Sequence, residues 1–405
     1  MRTVFKRATA NGGVNTCQIL CFGGEDWWYH NRGHVDMQLM RRFARRGRVL
    51  YVNSIVMRKF NVAEGAMFLT RLARKLRSIK RGLVEAEPNF FVYSPLTFPV
   101  HHLPGASTFN QLGLRIQVGR ALRHLTTASP IVWVVCPTAC ETALHLRRSA
   151  LVYQRSDRYE EYPGVDPERV YKMDLALKRE ADLTFFVNRS LYEQEKDECR
   201  AAYLLDHGVD YHLFAEAEKD PCVPQEMQGV PKPIIGFFGG IDDHTSDIAL
   251  VTDVARRCAD MTFVFVGDGA ADVSALEVLP NVRLVGQRPY EQIPHYGKCF
   301  DVVIMPWRQN RWIEACNPIK LKEYLALGKP VVSTPFRELE RYDGLVYIAR
   351  NSSEFAAALR RALDEDTEPR RKARRARVEH HTWDHKAQEA LDAIRAECGE
   401  RIACA

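Results

Sequence analysis

The chain has 405 residues, of which 46% are hydrophobic and 27% charged, and its formal net charge is +6 at pH 7. This length suggests two globular domains, and the modest positive charge suggests anionic partners such as nucleic acid, phosphorylated metabolites or a membrane surface. No apolar run is long enough to span a bilayer, and the first residues lack the apolar core of a signal peptide. None of the 11 cysteines forms a C-x-x-C pair, so no zinc ribbon or thioredoxin motif is indicated and buried thiols in a reducing cytosol are expected.

The first half of the chain alternates short apolar strands with amphipathic helical patterns. The predicted strands are CQILCFGG (17–24), RVLYVNS (48–54), FFVYSP (90–95), PIVWVVCP (130–137), LVYQRSD (151–157), DLTFFVN (182–188) and AYLLDHG (202–208). Helical patterns such as VDMQLMRRFARRG and VYKMDLALKREA lie between several of them. Strands that are apolar on both faces and alternate with helices predict a parallel sheet.

A charged segment with several prolines, AEAEKDPCVPQEMQGVPKP (215–233), interrupts the pattern and is interpreted as a linker. A second series of strands follows: PIIGFFGG (233–240), MTFVFVGDG (261–269), VRLVGQ (282–287), DVVIMPW (301–307), KPVVST (329–334) and LVYIAR (345–350). The basic run EPRRKARRARVEHH (368–381) fits a solvated helix face, and a last helix follows from about Trp383. The sequence therefore predicts an α/β fold with two Rossmann-like domains facing a central cleft.

The stretch NPIKLKEYLALGKPVVST (317–334) predicts a helix followed by a buried strand. Asn317 is a candidate cap, and Gly328 fits the left-handed position at which a helix ends. Lys320 and Glu323 are three residues apart, so they share a face near the helix start. A helix N-terminus with a lysine can hold a diphosphate, and a carboxylate one turn deeper can accept hydrogen bonds from a ribose diol. A surface ion pair explains the spacing equally well.

Glycine-containing turns follow the strands of the second series, where open parallel sheets bind ligands beyond the carboxyl ends of their strands. The first strand ends in Gly239-Gly240, at which a backbone can approach a phosphate closely. An ordinary strand-to-helix turn is the alternative for two glycines alone. The third strand ends in GQRPY (286–290).

Taken together, NPIKLKEY, GKPVVST, HGVDYHLF (207–214) and LVYQRSDRYEEYPG (151–164) resemble bacterial glycosyltransferases of the two-Rossmann (GT-B) type, most closely those of cell-surface and exopolysaccharide assembly. The resemblance covers both sheets, the linker and the terminal helix. It implies that Lys320 binds the donor diphosphate and Glu323 the ribose, with two glycines on the phosphate side and two loop residues near the base. The implied donor-binding residues are Gly239, Gly240, Gln287, Arg288, Asn317, Lys320 and Glu323.

The chain departs from the pattern of the retaining members of this superfamily. These usually carry a first glutamate with seven residues between it and the second, and here that position is Ala315, with Glu314 one residue out of register. A related group of inverting enzymes places an aspartate after a strand of the form L-V-Y-x-x-S/C-D, which LVYQRSD matches at Asp157. Asp157 is therefore a candidate catalytic base, and a helix cap, a turn or an ion pair with Arg155 or Arg158 is the alternative.

The first domain is expected to hold the acceptor, because its first strand opens into the aromatic loop GGEDWWYHNRGH. Gly24, Trp27 and Arg32 are the candidate acceptor contacts. His30 is a second candidate catalytic base, and His34 is also a candidate to face the cleft. Core packing is the alternative for the tryptophans and is favoured for at least one of them. An exposed loop position is the alternative for His30.

The segment MRKFNVAEGAMFLTRLARKLRSIKRG (57–82) predicts a basic amphipathic helix. Its apolar stripe, Met67, Phe68, Leu72 and Leu76, is surrounded by Arg71, Arg74, Lys75, Arg77, Lys80 and Arg81. This pattern is typical of an interfacial helix on anionic lipid. A basic surface helix packed on its own domain is the alternative. Nucleic-acid binding is a secondary interpretation, because no recognised RNA- or DNA-binding motif is present.

The sequence as a whole predicts a hexosyl-type, nucleotide-sugar-dependent glycosyltransferase of surface polysaccharide synthesis, with a lipid-linked saccharide as acceptor. It is expected on the cytoplasmic face of the cell membrane as a peripheral protein, with no metal, no cofactor beyond the nucleotide-sugar co-substrate and no nucleic-acid partner. The predicted domains are 1–214 for the acceptor, 215–233 as linker, 234–380 for the donor and 381–405 as a helix that crosses back. A sugar-nucleotide epimerase or hydrolase on the same fold and a catalytically silent nucleotide-sugar-binding protein stay open as alternatives.

Overall fold

The computed structural model describes residues 17–29, 32–55, 66–97, 106–126 and 128–399. The chain divides into two compact units. Unit 1 comprises Met1–Phe186, Gln194–Leu205 and Ala387–Ala405, and unit 2 comprises Val187–Glu193 and Asp206–Lys386. Within the described ranges, no helix combines the length and the apolar composition that a membrane crossing requires.

Unit 1 is built on a largely parallel sheet. Its described strands are β1 (Cys17–Phe22), β2 (Gly47–Val52), β3 (Leu83–Glu87), β4 (Phe90–Tyr93), β5 (Ile131–Val134), β6 (Ala150–Arg155), β7 (Leu183–Phe186) and β8 (Ala202–Leu204). Their order is β3-β4-β2-β1-β5-β6-β7-β8, and each neighbouring pair is parallel except β3 and β4. The predicted strands of this half are all present. The edge strand β3 was not predicted. Its residues are half-exposed and include two glutamates, so it lacks the continuous apolar sequence of a strand buried on both faces.

Helices connect the parallel strands of unit 1, as crossover connections require. They are α1 (Val35–Ala44), α2 (Ala66–Arg81), α3 (Ala106–Leu125), α4 (Cys140–His145) and α5 (Pro167–Glu180). Local sequence explains α5 well: the Asp166 carboxylate accepts the Arg169 N–H at 3.2 Å, and Pro167 occupies the first helical position. Val170 and Leu177 then pack its apolar face into the unit. The next helix, α6 (Arg189–Glu195), has residues in both units.

Unit 2 contains a second sheet whose described strands are all parallel. They are β9 (Ile234–Phe238), β10 (Thr262–Val266), β11 (Val282–Leu284), β12 (Val302–Met305), β13 (Val331–Ser333) and β14 (Val346–Ile348). Their order is β11-β10-β9-β12-β13-β14. Each predicted strand of the second series is present, and four of them are buried along their whole length, which accounts for their unbroken apolar sequence. The prediction of two Rossmann-like domains is confirmed.

The helices of unit 2 are α7 (Tyr211–Ala215), α8 (Ile248–Arg257), α9 (Ser274–Glu277), α10 (Ile293–Gly297), α11 (Arg311–Glu314), α12 (Ile319–Ala326), α13 (Ser352–Asp364) and α14 (Glu368–Val378). The last helix, α15 (Trp383–Cys398), begins among residues of unit 2 and belongs to unit 1 from Ala387 onwards. The predicted linker, 215–233, does not stand apart from unit 2. Ala217 and Met227 are buried in the hydrophobic core of that unit, which begins at Asp206.

The start of α12 differs from its prediction. The helix begins at Ile319, with Pro318 in the capping position and no side-chain capping hydrogen bond. Asn317 is therefore not the cap. Its amide instead donates to the Val187 carbonyl and to the Asp206 carboxylate, both at 2.7 Å, so it is turned into the interior of unit 2.

The end of α12 agrees with its prediction. Gly328 has a φ of +75°, the left-handed conformation that glycine adopts without strain. Its N–H donates to the Leu325 carbonyl, and the Lys329 N–H donates to the Tyr324 carbonyl at 3.1 Å. This is the hydrogen-bond pattern of a Schellman motif, which satisfies two of the last carbonyls and turns the chain into β13.

Candidate functional site

A tight glycine turn follows β9 at the centre of the sheet of unit 2. Gly239 has a φ of +130°, and a Cβ added there would lie 2.5 Å from Lys320 Nζ. A Cβ at Gly267, after the neighbouring strand β10, would lie 1.9 Å from the Gly239 carbonyl oxygen. The first glycine therefore lets the lysine of α12 approach the backbone, and the second lets the two turns pack together. Gly240 completes the turn, so the structure brings three of the predicted donor-site residues to one place.

Lys320 lies against two aromatic rings. Its Nζ is 4.4 Å from the centroid of the Phe237 ring and 4.5 Å from that of the Trp307 ring. Burial lowers the pKa of this ammonium to about 8, although the charges of Glu323 and Asp242 oppose the shift. Lys320 forms no ion pair with any carboxylate that the structure describes. A desolvated cation of this kind is available to an anionic ligand.

Glu323 lies one turn further along α12 and is buried. The Tyr290 hydroxyl donates to Glu323 Oε1 at 2.9 Å. Burial raises the pKa of this carboxyl to about 7, while the Tyr290 hydrogen bond and the Lys320 charge act in the opposite direction. Glu323 is thus held by Tyr290 and does not form the surface ion pair that the spacing alone also allowed. Its remaining oxygen capacity suits hydroxyl donors.

The predicted base-binding loop is tied to the segment that precedes β9. The Arg288 guanidinium donates to Glu226 Oε1 at 2.6 Å and to the Tyr296 hydroxyl at 3.0 Å. Gln287 precedes it, and the Gln287 carbonyl accepts a further bond from the same guanidinium at 3.0 Å. The Asn317 amide, as described above, is occupied inside the unit, which gives this predicted donor residue a structural role.

The position of the missing first glutamate is filled by a buried alanine. Ala315 is 2% exposed, and its carbonyl accepts a hydrogen bond from the Asn188 amide. Glu314 is exposed and lines a cavity of about 230 Å³ together with Asn188, Arg337 and Arg341. The position of the first glutamate in the retaining pattern is therefore occupied here by a buried alanine.

In unit 1 a buried carboxylate organises the loop after β1. Asp36 accepts hydrogen bonds from the Gly24 N–H (2.8 Å), the Met37 N–H (2.9 Å), the Tyr51 hydroxyl (2.8 Å) and His34 Nδ1 (2.9 Å). Burial alone would raise its pKa, but the hydrogen bonds and the His34 charge outweigh burial and lower the pKa to about 2. For His34, burial is likewise outweighed by Asp36, which raises the imidazole pKa to about 9. His34 is therefore a cation at neutral pH.

Asp157 lies just after β6 and close enough to His34 to interact with its charge. Burial raises the pKa of this carboxyl, and the positive charges of His34 and Arg155 limit the shift. The Arg155 guanidinium pairs with other carboxylates, those of Glu160 (2.9 Å), Glu195 (3.2 Å) and Asp174 (3.3 Å). Arg158 donates to Gln194. A desolvated carboxylate with a cation nearby can act as a proton acceptor.

The predicted acceptor contacts Gly24, Trp27 and Arg32 all make contacts within unit 1. Trp27 is 1% exposed, with its ring centroid 4.5 Å from that of Phe90, so it is a core residue and cannot stack on a sugar. The Arg32 guanidinium carbon lies 5.1 Å from the centroid of the Trp27 ring, and the Gly24 N–H donates to the Asp36 carboxylate, as described above. His30 lies outside the residues that the structure describes.

Several residues of the site carry no sequence motif. Phe237 and Trp307 come from the ends of β9 and β12, and Tyr290 comes from the turn after β11. The sequence signal for these residues is their position, because each lies at or just after the carboxyl end of a parallel strand, where such sheets bind ligands. The pair of His34 and Asp36 has a similar signal, because it lies at the start of α1, after the glycine-containing loop that follows β1.

Comparison with known proteins finds a family match within unit 2. Residues 232–365 match the family model described as "Glycosyl transferases group 1". Over 138 residues the chain is 37% identical to the "Putative teichuronic acid biosynthesis glycosyltransferase TuaH" of Bacillus subtilis (strain 168). That match covers 33% of this chain and 34% of the relative, so it spans about a third of the relative's length.

Solved structures share the fold along nearly the whole chain. Sucrose-phosphate synthase (tll1590) from Thermosynechococcus elongatus is 16% identical with a TM-score of 0.70, covering 94% of this chain and 98% of its own. Anabaena Alr3699/HepE, solved in complex with UDP-glucose, is 15% identical with a TM-score of 0.65, covering 94% of this chain and 99% of its own. At these identities the likeness concerns the fold alone.

The fold is that of GT-B glycosyltransferases, with two Rossmann-like domains. Within that fold, residues 232–365 are similar to the group 1 glycosyl transferases. These findings confirm the resemblance, drawn from the sequence, to bacterial GT-B glycosyltransferases of cell-surface polysaccharide synthesis.

Proposed function

We propose that this protein transfers a sugar from a nucleotide-sugar donor to a lipid-linked saccharide acceptor in the synthesis of a surface polysaccharide. The observation that carries this proposal is the placement of Lys320 and Glu323 on one face of α12, beside the Gly239 turn. The match of residues 232–365 to the group 1 glycosyl transferases supports the activity, and a relative named for teichuronic acid biosynthesis supports the pathway class.

In this proposal unit 2 binds the donor. Lys320 contributes a positive charge to the diphosphate, next to the N–H groups at the start of α12 and the open backbone at Gly239. Glu323, held by Tyr290 at 2.9 Å, accepts hydrogen bonds from the ribose hydroxyls. Structures of Anabaena Alr3699/HepE with UDP and with UDP-glucose support a nucleotide-sugar as the ligand class. The loop with Gln287 and Arg288 is proposed to border the base.

Unit 1 is proposed to bind the acceptor and to supply the base. Asp157 takes the proton from the acceptor hydroxyl while that oxygen attacks the anomeric carbon, and the nucleoside diphosphate leaves from the opposite face. His34 lies near enough to hold the Asp157 carboxylate ionised before the transfer. The alanine at position 315 favours this inverting course over the retaining one. The proposal therefore assigns proton transfer to Asp157 and charge control to His34.

The membrane part of the proposal rests on how α2 packs. One face is fixed to unit 1, with Lys75 Nζ donating to the Ser54 carbonyl at 2.9 Å and the Ser78 hydroxyl to Asp26 at 2.9 Å. The other face exposes Leu72 and Leu76, the latter to 54%. Exposed basic residues flank these leucines: Arg74, Arg77, Lys80 and Arg81. Lys75 is therefore a packing residue, and the side chains of Met67, Phe68 and Arg71 lie outside the description.

An exposed leucine pair within a basic surface fits the surface of an anionic bilayer, on which a lipid-linked acceptor would be presented. Replacement of Arg74, Arg77 and Lys80 by glutamine should weaken binding to acidic vesicles about a hundredfold, at about 1 kcal/mol for each charge. A variant with Lys196, Arg256 and Lys372 replaced by glutamine loses the same charge elsewhere. Sedimentation of both variants with acidic and neutral vesicles tests this. If the two variants lose binding to acidic vesicles equally, α2 is an ordinary basic surface helix and not a membrane-binding one.

The activity is tested by supplying uridine, guanosine, adenosine and cytidine diphosphate sugars and measuring release of the nucleoside diphosphate. A transferase releases it rapidly only when a polyprenyl-linked saccharide is added, and labelled sugar appears in the lipid extract. Release without acceptor would indicate a hydrolase, and conversion of the donor to its epimer an epimerase. Donor binding with no turnover under all these conditions would indicate the silent binding protein.

A further inference from the structure

Three side chains with metal-binding chemistry meet on the surface of unit 2, apart from the proposed donor site. Asp220 and Cys222 belong to the segment before β9, and His295 belongs to α10. Their ligand atoms all lie within 4.8 Å of one another, and Asp220 Oδ2 is 3.9 Å from His295 Nδ1. A carboxylate and a thiol thus lie close to an imidazole that follows them in the chain by 75 and 73 positions respectively.

The backbone around this cluster is fixed by its own hydrogen bonds. The Cys222 N–H donates to Asp220 Oδ1 at 2.8 Å, across the intervening proline. The Lys298 ammonium, from the residue after α10, donates to the Asp220 carbonyl. The turn that carries the carboxylate and the thiol is therefore already held against α10, and little ordering is required for a ligand to bind.

The imidazole of His295 supplies an independent indication of a ligand. Its Nδ1 atom is shielded from solvent and has no hydrogen-bond partner among the described residues. Leaving a buried polar atom without a partner destabilises a fold, and such an atom can mark the place of a bound ion or water. Because the Asp220 carboxylate lies 3.9 Å from this nitrogen, a cation between them would contact both groups.

The chemistry of the three groups selects the ion. Thiolate, imidazole and carboxylate together are the ligands of Zn²⁺, whereas Ca²⁺ and Mg²⁺ prefer oxygen ligands alone. Tetrahedral zinc with bonds of about 2.0–2.3 Å places its ligand atoms roughly 3.3–3.8 Å apart. The ligand atoms, all within 4.8 Å of one another, reach this spacing after a contraction of at most about 1.0–1.5 Å, which side-chain rotation can supply. The charges of the thiolate and the carboxylate balance the ion.

We propose that Asp220, Cys222 and His295 form a zinc site that joins the segment before β9 to α10, with water as the fourth ligand. The same segment carries Glu226, which binds Arg288 of the proposed base loop at 2.6 Å. Zinc at this site would therefore stabilise the packing of that segment on unit 2. None of the three proposed zinc ligands is a residue assigned to the donor site, so the proposal does not depend on the sugar-transfer activity.

The test uses the full chain after treatment with a chelator. Titration with Co²⁺ should give a near-ultraviolet thiolate charge-transfer band and the visible bands of tetrahedral cobalt, and one equivalent of Zn²⁺ should remove both. The variant C222S should lose the charge-transfer band and bind Zn²⁺ about a hundredfold more weakly, and H295Q should weaken binding similarly. C199S replaces another partly exposed thiol, in unit 1, and should behave like the parent.

A second readout is thermal unfolding, because an ion that binds only the folded chain raises the unfolding midpoint. Zn²⁺ should raise the midpoint of the parent and of C199S but leave that of C222S unchanged. Cys222 is exposed, so its replacement by serine leaves the fold intact. A parent without the charge-transfer band, or a C222S variant that retains both the band and the zinc-dependent midpoint, would overturn the proposal.

Discussion

The depressed pKa of Lys320 should make nucleotide binding depend on pH. Burial lowers this pKa to about 8, and a diphosphate is attracted by the ammonium form only. With that pKa the charged fraction in the free protein falls from about nine-tenths at pH 7 to about one-tenth at pH 9. The dissociation constant of a nucleoside diphosphate should therefore rise about tenfold between these values, since binding at pH 9 must first protonate the lysine.

Two variants separate this effect from other titrations. Lys320→Ala removes a charge-assisted contact of about 1.5–3 kcal/mol, so binding at pH 7 should weaken about ten- to a hundredfold and then change little up to pH 9. Lys320→Arg keeps a positive charge across the range, and its profile should also be flat. The assay is calorimetric titration at pH 7, 8 and 9 with one nucleoside diphosphate at constant ionic strength.

The comparison is decisive because the parent and the two variants are titrated with the same nucleotide. If the affinity of Lys320→Ala for the nucleotide also falls tenfold between pH 7 and pH 9, the titrating group is not Lys320. It is then the nucleotide or another group, such as Glu323, whose pKa burial raises to about 7. Equal affinity of Lys320→Ala and parent at pH 7 would refute the placement of the diphosphate beside α12.

Four further outcomes are expected. Lys320→Met should raise the unfolding midpoint of the ligand-free protein while it weakens nucleotide binding, because a buried unpaired ammonium is removed, and calorimetric scanning checks this. Glu323→Ala should abolish the preference for ribose over 2′-deoxyribose nucleotides in competition titrations. Asp157→Asn should lower turnover about 10²–10⁴-fold with donor affinity unchanged, and NMR of the parent's product should show inverted anomeric configuration. Asp36→Asn should lower the free energy of unfolding by roughly 3 kcal/mol in urea titrations. The pKa of His34 is about 9 in the folded parent and 6.5 in the unfolded chain. The stabilisation from His34 should therefore be fully present below pH 6.5 and disappear as the pH rises through 9. The Asp36→Asn variant should lack this pH dependence.

The sheets could be predicted because their information is local. Strands buried on both faces read as continuous apolar runs, and each such run became a strand of the sheets. The strand β3 lacks that signal, since it pairs antiparallel at an edge and alternates apolar with charged residues. The cap of α12 was missed for a different reason. Asn317 bonds to Asp206, more than a hundred residues away, and spacing along the chain carries no such information.

The site was predictable where it depends on helix spacing and not where it depends on tertiary packing. Lys320 and Glu323 share a face of α12, as their separation of three residues requires. The rings that enclose the lysine and the tyrosine that holds the glutamate come from other elements, so only sheet topology brings them together. Trp27 is an example of a residue whose role the sequence did not predict: it lies in a loop, but its side chain is buried in the core.

Hydrogen–deuterium exchange of the full chain, with and without a saturating nucleoside diphosphate, tests the central claim most directly. The account predicts slower exchange in peptides that cover residues 237–242 and 317–326, which contain the glycine turn and the start of α12. Peptides of β1 and β2 in unit 1 should exchange at the same rate in both conditions. Protection confined to unit 1, or none at 317–326 despite saturation, would contradict the assignment of the donor site.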